Sequence, residues 1–266
     1  MPLTTAEAIV LRENSLSESD LITTLLTKEF GKIRAVAKSA RRLKSKFAGV
    51  LEPLSHVRID YYERENRELV YLNRCDLEET FFDLQSEYGF QVTCAYMIEV
   101  IDAMLQDREA NPKIFRLILS LLRARKRGVE TSQLLPYFNY WMLKLCGFLP
   151  ALVSCAHCGT SLRSRGGRLV FSQNKIYCEG CRPSGGSPLT PDCIALAETF
   201  GRDAMQRIHE RGAFPIEAFE RLNPVLERLL VNVVERPLKS IDLLHDLRRS
   251  ERRPFQKSRE ETLLSP

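Results

Sequence analysis

Histidine and tryptophan are scarce in this 266-residue chain, four of the one and one of the other. His56, His157, His209 and His245 stand far apart, and no HxE precedes a cysteine pair as a zinc deaminase requires. There is no GxSxG elbow, and the glycine beside Lys32 lacks the companions of a phosphate loop. Deaminases, Ser-elbow hydrolases and P-loop nucleotide hydrolases are therefore set aside, and a protein that is not an enzyme is expected. Acids are plentiful, so pattern alone leaves a carboxylate-dependent nuclease open, and magnesium-dependent cleavage is the discriminating assay. No apolar run approaches the roughly 18 residues of a membrane span. The opening "MPLTTAEAIVLRENS" has no basic segment leading into an uninterrupted apolar core, so a cytoplasmic, nucleoid-associated protein without membrane contact is expected.

What the chain has is enough apolar material, 44% of residues, to bury two or three packed units in 30.5 kDa. Its net charge of +5 is too small to name a partner by itself. Five short β-branched or aromatic runs, residues 6–12, 21–27, 32–38, 56–63 and 68–76, are separated by Ser, Gly, Pro or charged turns. With no helix between them to cover an open sheet, they predict a small closed barrel of the OB type. Beyond Glu79 the period becomes helical. Cys94, Met97, Ile98, Ile101, Met104 and Leu105 form one buried stripe. Asn111 and Pro112 open a second helix that ends at Gly128, and a third runs over roughly 132–146. Thr190 and Pro191 open another, and 216–247 reads as one or two more, broken at Pro237.

The expected architecture is multidomain α+β: an N-terminal five-stranded OB-fold barrel and an α-helical domain interrupted by a four-cysteine zinc ribbon. The boundaries read as barrel 1–80, helical domain 81–150, ribbon insertion 151–187, helical domain resumed 188–247, and a charged, disordered tail 248–266.

Eight cysteines in a reducing compartment are thiols or metal ligands. Nineteen residues separate Cys155 and Cys158 ("CAHC") from Cys178 and Cys181 ("CEGC"). Each CxxC turns two thiolates toward one point, and two such knuckles complete a tetrahedral Zn²⁺ site. Four protein ligands leave no open position, so one structural zinc is predicted, supplying the folding energy that so short a segment lacks. Gly159 and Gly180 sit where such turns need relaxed backbone angles. Residues 169–171 and 175–177 are candidates for the ribbon hairpin, and Arg163, Arg165, Arg168, Lys175 and Arg182 make it cationic. Cys75, Cys94, Cys146 and Cys193 lie in apolar surroundings as buried small hydrophobes.

Residues 1–80 hold as many acids as bases, yet "GKIRAVAKSARRLKSKFAGVLEP" carries Lys32, Arg34, Lys38, Arg41, Arg42, Lys44 and Lys46 with no acid between Glu29 and Glu52. A period of two sends Ile33, Ala35 and Ala37 inward and Lys32, Arg34 and Lys38 outward together. Residues 38–49 read as a mobile loop beside the barrel. Cations spaced along one surface, next to small flexible residues, suit the sugar-phosphate chain of a single-stranded nucleic acid. A solvated basic turn is the bland alternative. Phe47, Tyr61, Tyr62 and Tyr71 are the candidates for base stacking.

Taken together, the order of "EAIVLRENSLSESDLITTLLTKEFGKIRAVAKSARRLKSKFAGVLEP", the barrel, the four-cysteine ribbon within helices and "ERPLKSIDLL" resembles the RecO family of recombination mediators. The resemblance spans residues 6 to about 247. It implies binding of single- and double-stranded DNA, annealing of complementary strands and, with RecR, loading of RecA on single strands coated by single-stranded DNA-binding protein. By the same resemblance Arg34, Lys38, Arg41, Arg42, Lys44 and Lys46 are the phosphate contacts. It further implies that the helical domain holds the acidic, Phe-ended C-terminal tail of the single-strand-binding protein. Arg123, Arg125, Lys126 and Arg127 would supply charge for that tail, although they equally complement their own helix dipole. An RNA-binding or transcription-associated barrel-and-ribbon adaptor is the alternative, and competition between single-stranded DNA and RNA separates the two.

Overall fold

In the computed structural model, which describes residues 3–63, 68–181, 185–234 and 236–249, the first five runs are strands. These are β1 (Leu3–Ser15), β2 (Leu21–Thr27), β3 (Gly31–Ala37), β4 (His56–Tyr62) and β5 (Leu69–Glu79). They close into a barrel of order β1-β2-β3-β5-β4, in which β3 and β5 pair parallel and every other pair is antiparallel. Ala8, Val10, Leu25, Ile33, Ala35, Val57, Ile59, Tyr61 and Val70 fill its interior. The outer faces of β1 and β2 are partly covered: Ile9, Leu11 and Leu26 belong to the core of the helical part. That two-sided burial is why "AIVL", Ala8 to Leu11, reads as an unbroken apolar run.

The helical part comprises α1 (Tyr88–Met104), α2 (Pro112–Lys126), α3 (Thr131–Leu145), α4 (Pro191–Phe200), α5 (Met205–Arg211), α6 (Ile216–Val234) and α7 (239–249). Their starts follow local chemistry. The Asn111 side chain accepts from the Ile114 N–H at 3.2 Å and Thr190 from the Cys193 N–H at 3.4 Å, each with proline at the next position. Helix α3 is the central element. Tyr96 Oη (α1) donates to Asn139 Oδ1 (α3) at 2.9 Å, and Asn139 Nδ2 donates to Asn223 Oδ1 (α6) at 2.9 Å. A buried polar chain of this kind is satisfied in one register of three helices only. Burial pushes the Tyr96 phenol up, so it stays protonated and donating.

The 151–190 segment carries a three-stranded sheet of order β7-β6-β8, from β6 (Gly167–Val170), β7 (Lys175–Tyr177) and β8 (Ser187–Leu189). The hairpin expected from sequence is β6 and β7. Strand β8 adds to that hairpin; it is three residues long and contains Pro188. Leu162, Leu169, Ile176 and Leu189 join the same core as the helices, so the ribbon is packed onto the bundle.

"ERPLKSIDLL" is a docking segment. Pro237 lies in the non-helical residues 236–238, where a break was expected, and α7 begins against α1. The Glu99 carboxylate accepts from the backbone N–H groups of Lys239 (3.0 Å) and Ser240 (2.8 Å) and from the Ser240 hydroxyl. Glu99 thus caps α7 in the manner of an N-cap acid supplied by another helix. Partial burial opposes ionisation, but the bonds from Ser240 and Lys239 outweigh it and hold the Glu99 carboxyl below its ordinary value. A carboxyl depressed in the folded state stabilises above its unfolded pKa, and that contribution is lost as pH falls through the folded one. Glu99→Gln is expected to cost about 1–3 kcal/mol at neutral pH. In paired melts of parent and variant the gap should narrow below roughly pH 4.5; a gap independent of pH would contradict the cap.

Candidate nucleic-acid interface and metal centre

Strand β3 departs from simple alternation. Arg34 and Lys38 are exposed, but Lys32, expected to face outward with them, is buried. Its Nζ lies 2.9 Å from Asp102 Oδ1 and 3.1 Å from Asp107 Oδ1. The α1–α2 connection lies along β3, where Arg108 N–H donates to Lys32 O at 2.9 Å and covers an edge that β5 leaves unpaired. Only the backbone of Gly31 fits there: its φ is +68°, and a Cβ would collide with the backbone of Glu109. Arg34 reaches the same acid, 3.4 Å from Asp107 Oδ2, with half its side chain exposed.

The loop after β3 is tied down, not free as expected from its charge. Ala40, Phe47 and Leu51 are buried in the barrel core, and successive turns link Ser39 to Arg42, Arg42 to Ser45 and Ser45 to Ala48. The β1–β2 turn holds its near end. Arg41 N–H donates to Ser19 O (3.1 Å), Arg41 Nη1 to Ser17 O (3.1 Å), and Ser39 N–H to Asp20 Oδ1 (2.7 Å). That Ser39 bond, with help from Ser17, Ser19 and the field of Lys38, holds the Asp20 carboxyl below its usual range. Ser17, Ser19 and Asp20 support the loop; their signal in the sequence was the polar turn "SLSESD".

From this frame Lys38, Arg41, Arg42, Lys44 and Lys46 project, all exposed, and none forms an ion pair among the described residues. Lys38 lies over the Tyr71 ring at 5.6 Å, and Lys46 Nζ donates to Asn73 O. Of the stacking candidates, Phe47 and Tyr61 are core residues, which removes them; Tyr62 and Tyr71 are half-buried.

The cations at the end of α2 have partners. Arg123 pairs with Glu79 (2.8 Å), Arg125 with Glu87, and Lys126 lies over the Phe81 ring at 5.6 Å and reaches Thr80 O. Arg127 is exposed. In the ribbon, Arg163 grips Glu198 through two nitrogens (2.8 and 3.0 Å) and Arg168 donates to Gly186 O (2.8 Å). Arg182 and residues 250–266 lie outside the described residues, whereas Arg248 and Arg249, expected in a disordered tail, are the last residues of α7, with Arg248 2.9 Å from Glu227.

The Sγ atoms of Cys155, Cys158, Cys178 and Cys181 lie within 4.8 Å of one another, with Cys158 and Cys178 at 3.7 Å. Metal–sulfur bonds of about 2.3 Å at tetrahedral angles place sulfurs about 3.8 Å apart, so the quartet fits one ion. Gly159 takes φ +71° in the first knuckle, as anticipated; Gly180 takes no left-handed angle, and its knuckle closes with a Cys181 N–H to Cys178 O bond. His157 is exposed and outside the quartet. Burial works against ionising Cys155, yet N–H groups of Cys158, Cys178 and His157 bring it down to about 6. Cys181, facing the sulfurs of Cys158 and Cys178, is pushed up to about 12. Four thiols crowded so closely resist sharing negative charge until a cation joins them. Elsewhere burial raises Cys75 to about 12 and also raises Cys94 and the half-buried Cys146, so these are inert thiols.

A closed OB-type barrel with a cationic loop, seated on a helical bundle that carries a four-cysteine knuckle pair, defines a class of barrel-and-ribbon proteins. Residues 1–81 match the family described as recombination protein O N terminal, and residues 91–242 the one described as recombination protein O C terminal. The chain is 35% identical over 245 residues to the DNA repair protein RecO of Koribacter versatilis, covering 91% of this chain and 98% of that one. It is 27% identical over 248 residues to its namesake in Syntrophus aciditrophicus, at 91% and 95% coverage. The chain belongs to the RecO family of DNA repair proteins. No helix among the described residues is long and apolar enough to cross a membrane.

Proposed function

We propose that this protein is a recombination mediator. It binds single- and double-stranded DNA through Arg34, Lys38, Arg41, Arg42, Lys44 and Lys46, and anneals complementary strands. With RecR it helps load RecA on strands coated by single-stranded DNA-binding protein, in the cytoplasm at the nucleoid. One observation carries the reading: five cations stand on a loop whose backbone is already ordered by buried anchors. Phosphates that meet such a loop release counterions without a large ordering cost. Annealing needs no covalent step; two polyanions must be screened while their base edges stay free. The metal is Zn²⁺ in a structural role, since four sulfur ligands close its coordination sphere. The acidic tail of the single-strand-binding protein meets the C-terminal end of α2, where Arg127 points outward beside Arg123, Arg125 and Lys126.

The test is a salt series of DNA binding and strand annealing, with and without the single-strand-binding protein. Lys38→Ala with Arg41→Ala should weaken binding about ten-fold or more across all sequences. Losing two contacts should flatten the slope of log K against log salt by about 1.4 on single strands. Because Arg41 also braces the β1–β2 turn, Lys38→Ala with Lys44→Ala is the companion variant. Unchanged affinity and slope in both pairs would remove the assignment, and stronger competition by RNA than by DNA would favour the adaptor reading.

A further inference from the structure

The basic loop buries each of its apolar anchors, Ala40, Phe47, Leu51 and Leu54, and leaves one large apolar side chain outside. Leu43 is 101% exposed, as open to water as in an extended chain. It occupies the second position of the turn closed by Ser45 N–H to Arg42 O (2.9 Å), and Arg42 and Lys44 flank it on an exposed rim. Isolated surface leucines are ordinary. This one is distinguished by its setting: a braced loop presents it between two cations that have no ion-pair partner among the described residues.

We infer that Leu43 is a wedge that enters between neighbouring bases of the bound strand and opens one stacked step. The inference rests on the reading of this loop as a phosphate-binding surface. With one phosphate held by Arg42 and another by Lys44, the bases between them meet the side chain at the tip. Aromatic platforms usually make this contact in single-strand binders. Here Phe47 and Tyr61 are withdrawn into the core, Tyr62 is half-buried at the end of β4 and Tyr71 lies under Lys38, so the fully exposed apolar group at the tip of the loop is leucine. Apolar side chains inserted between base steps partly unstack them. Leucine has no hydrogen-bonding group, so the wedge is blind to sequence and leaves the pairing edges unoccupied. The second tied loop adds Leu16, 49% exposed, at the same end of the barrel.

The experiment uses the full chain and a single strand with 2-aminopurine at one position, whose fluorescence rises when its neighbours unstack. Saturating parent protein should raise the signal. Leu43→Ala should abolish most of the rise at saturation and lower affinity about three- to ten-fold, with the parent's salt slope retained. The substitution removes no contact within the fold, so its melting temperature should match the parent's. A parent that leaves the fluorescence flat, or a Leu43→Ala variant that raises it as the parent does, overturns the wedge. Failure of the phosphate reading looks different: the lysine–arginine pair variants would then bind with the parent's affinity and slope, whatever Leu43 does.

Discussion

If the proposed zinc occupies the four-cysteine site, chelation is expected to unfold residues 154–181 and loosen the helical bundle while leaving the barrel folded. Structural zinc in small thiolate modules contributes about 10–16 kcal/mol of binding free energy, larger than any side-chain contact in this fold supplies. Few local interactions replace it, because the ribbon strands are three or four residues long. The effect should spread, since Leu162, Leu169, Ile176 and Leu189 are shared with the core of α1 to α6. It should stop at the barrel, whose interior is a separate cluster. New protease cuts within 154–181, a fall of about 10 °C or more in the melting of the helical part and an intact barrel fragment are the expected results. Identical digestion patterns with and without chelator would show that the cysteines fold without an ion.

Replacing Lys32 with Ala should produce the second large effect. Its side chain is 5% exposed and bonded to both Asp102 and Asp107, so the substitution leaves two carboxylates without the ammonium between them. Breaking a fully buried pair costs about 3–5 kcal/mol; here the carboxylates left behind are 29% and 46% exposed and keep Arg236 and Arg34 nearby, so the loss should be smaller, lowering the melting temperature by several degrees. The pH dependence has a definite sign. Desolvation opposes ionising Asp102, but Lys32 overcomes it and holds that carboxyl below its ordinary value. The parent therefore draws this stability above the unfolded carboxylate pKa and loses it as pH falls through the folded value, while acid relieves the variant of a stranded charge. The two melting curves should approach each other as pH drops. A variant that melts with the parent at neutral pH would mean that Arg236, 3.4 Å from Asp102, compensates fully.

Much of this was legible because the deciding interactions are local. Strand β2 matched its apolar run, and β3 fell within one residue, since β-branched alternation and turn residues act over a few positions. Helix α2 announced itself through Asn111 and Pro112, and the knuckles through spacing alone. What escaped notice depends on partners distant in sequence. The burial of Lys32 is caused by Asp102 of α1, 70 residues later, and by Asp107 of the connection after it, and the engagement of Arg123 and Arg125 by Glu79 and Glu87. Strand β8 has too few residues to show a period, and α5 is only seven residues long. The basic loop misled because charge density speaks of solvent, whereas its order comes from Phe47 and Leu51, two apolar positions among many polar ones.

Gly31 has a consequence for how freely this molecule can vary. Cations along the rim can be exchanged one for another, each at the cost of a contact, but at position 31 two main chains touch with only a hydrogen between them. Any side chain there would drive Glu109 away, unseat the α1–α2 connection and release Asp107 from both Lys32 and Arg34. A single methyl group, far too small to alter charge or fold class, would thereby loosen β3 from the connection that covers its edge.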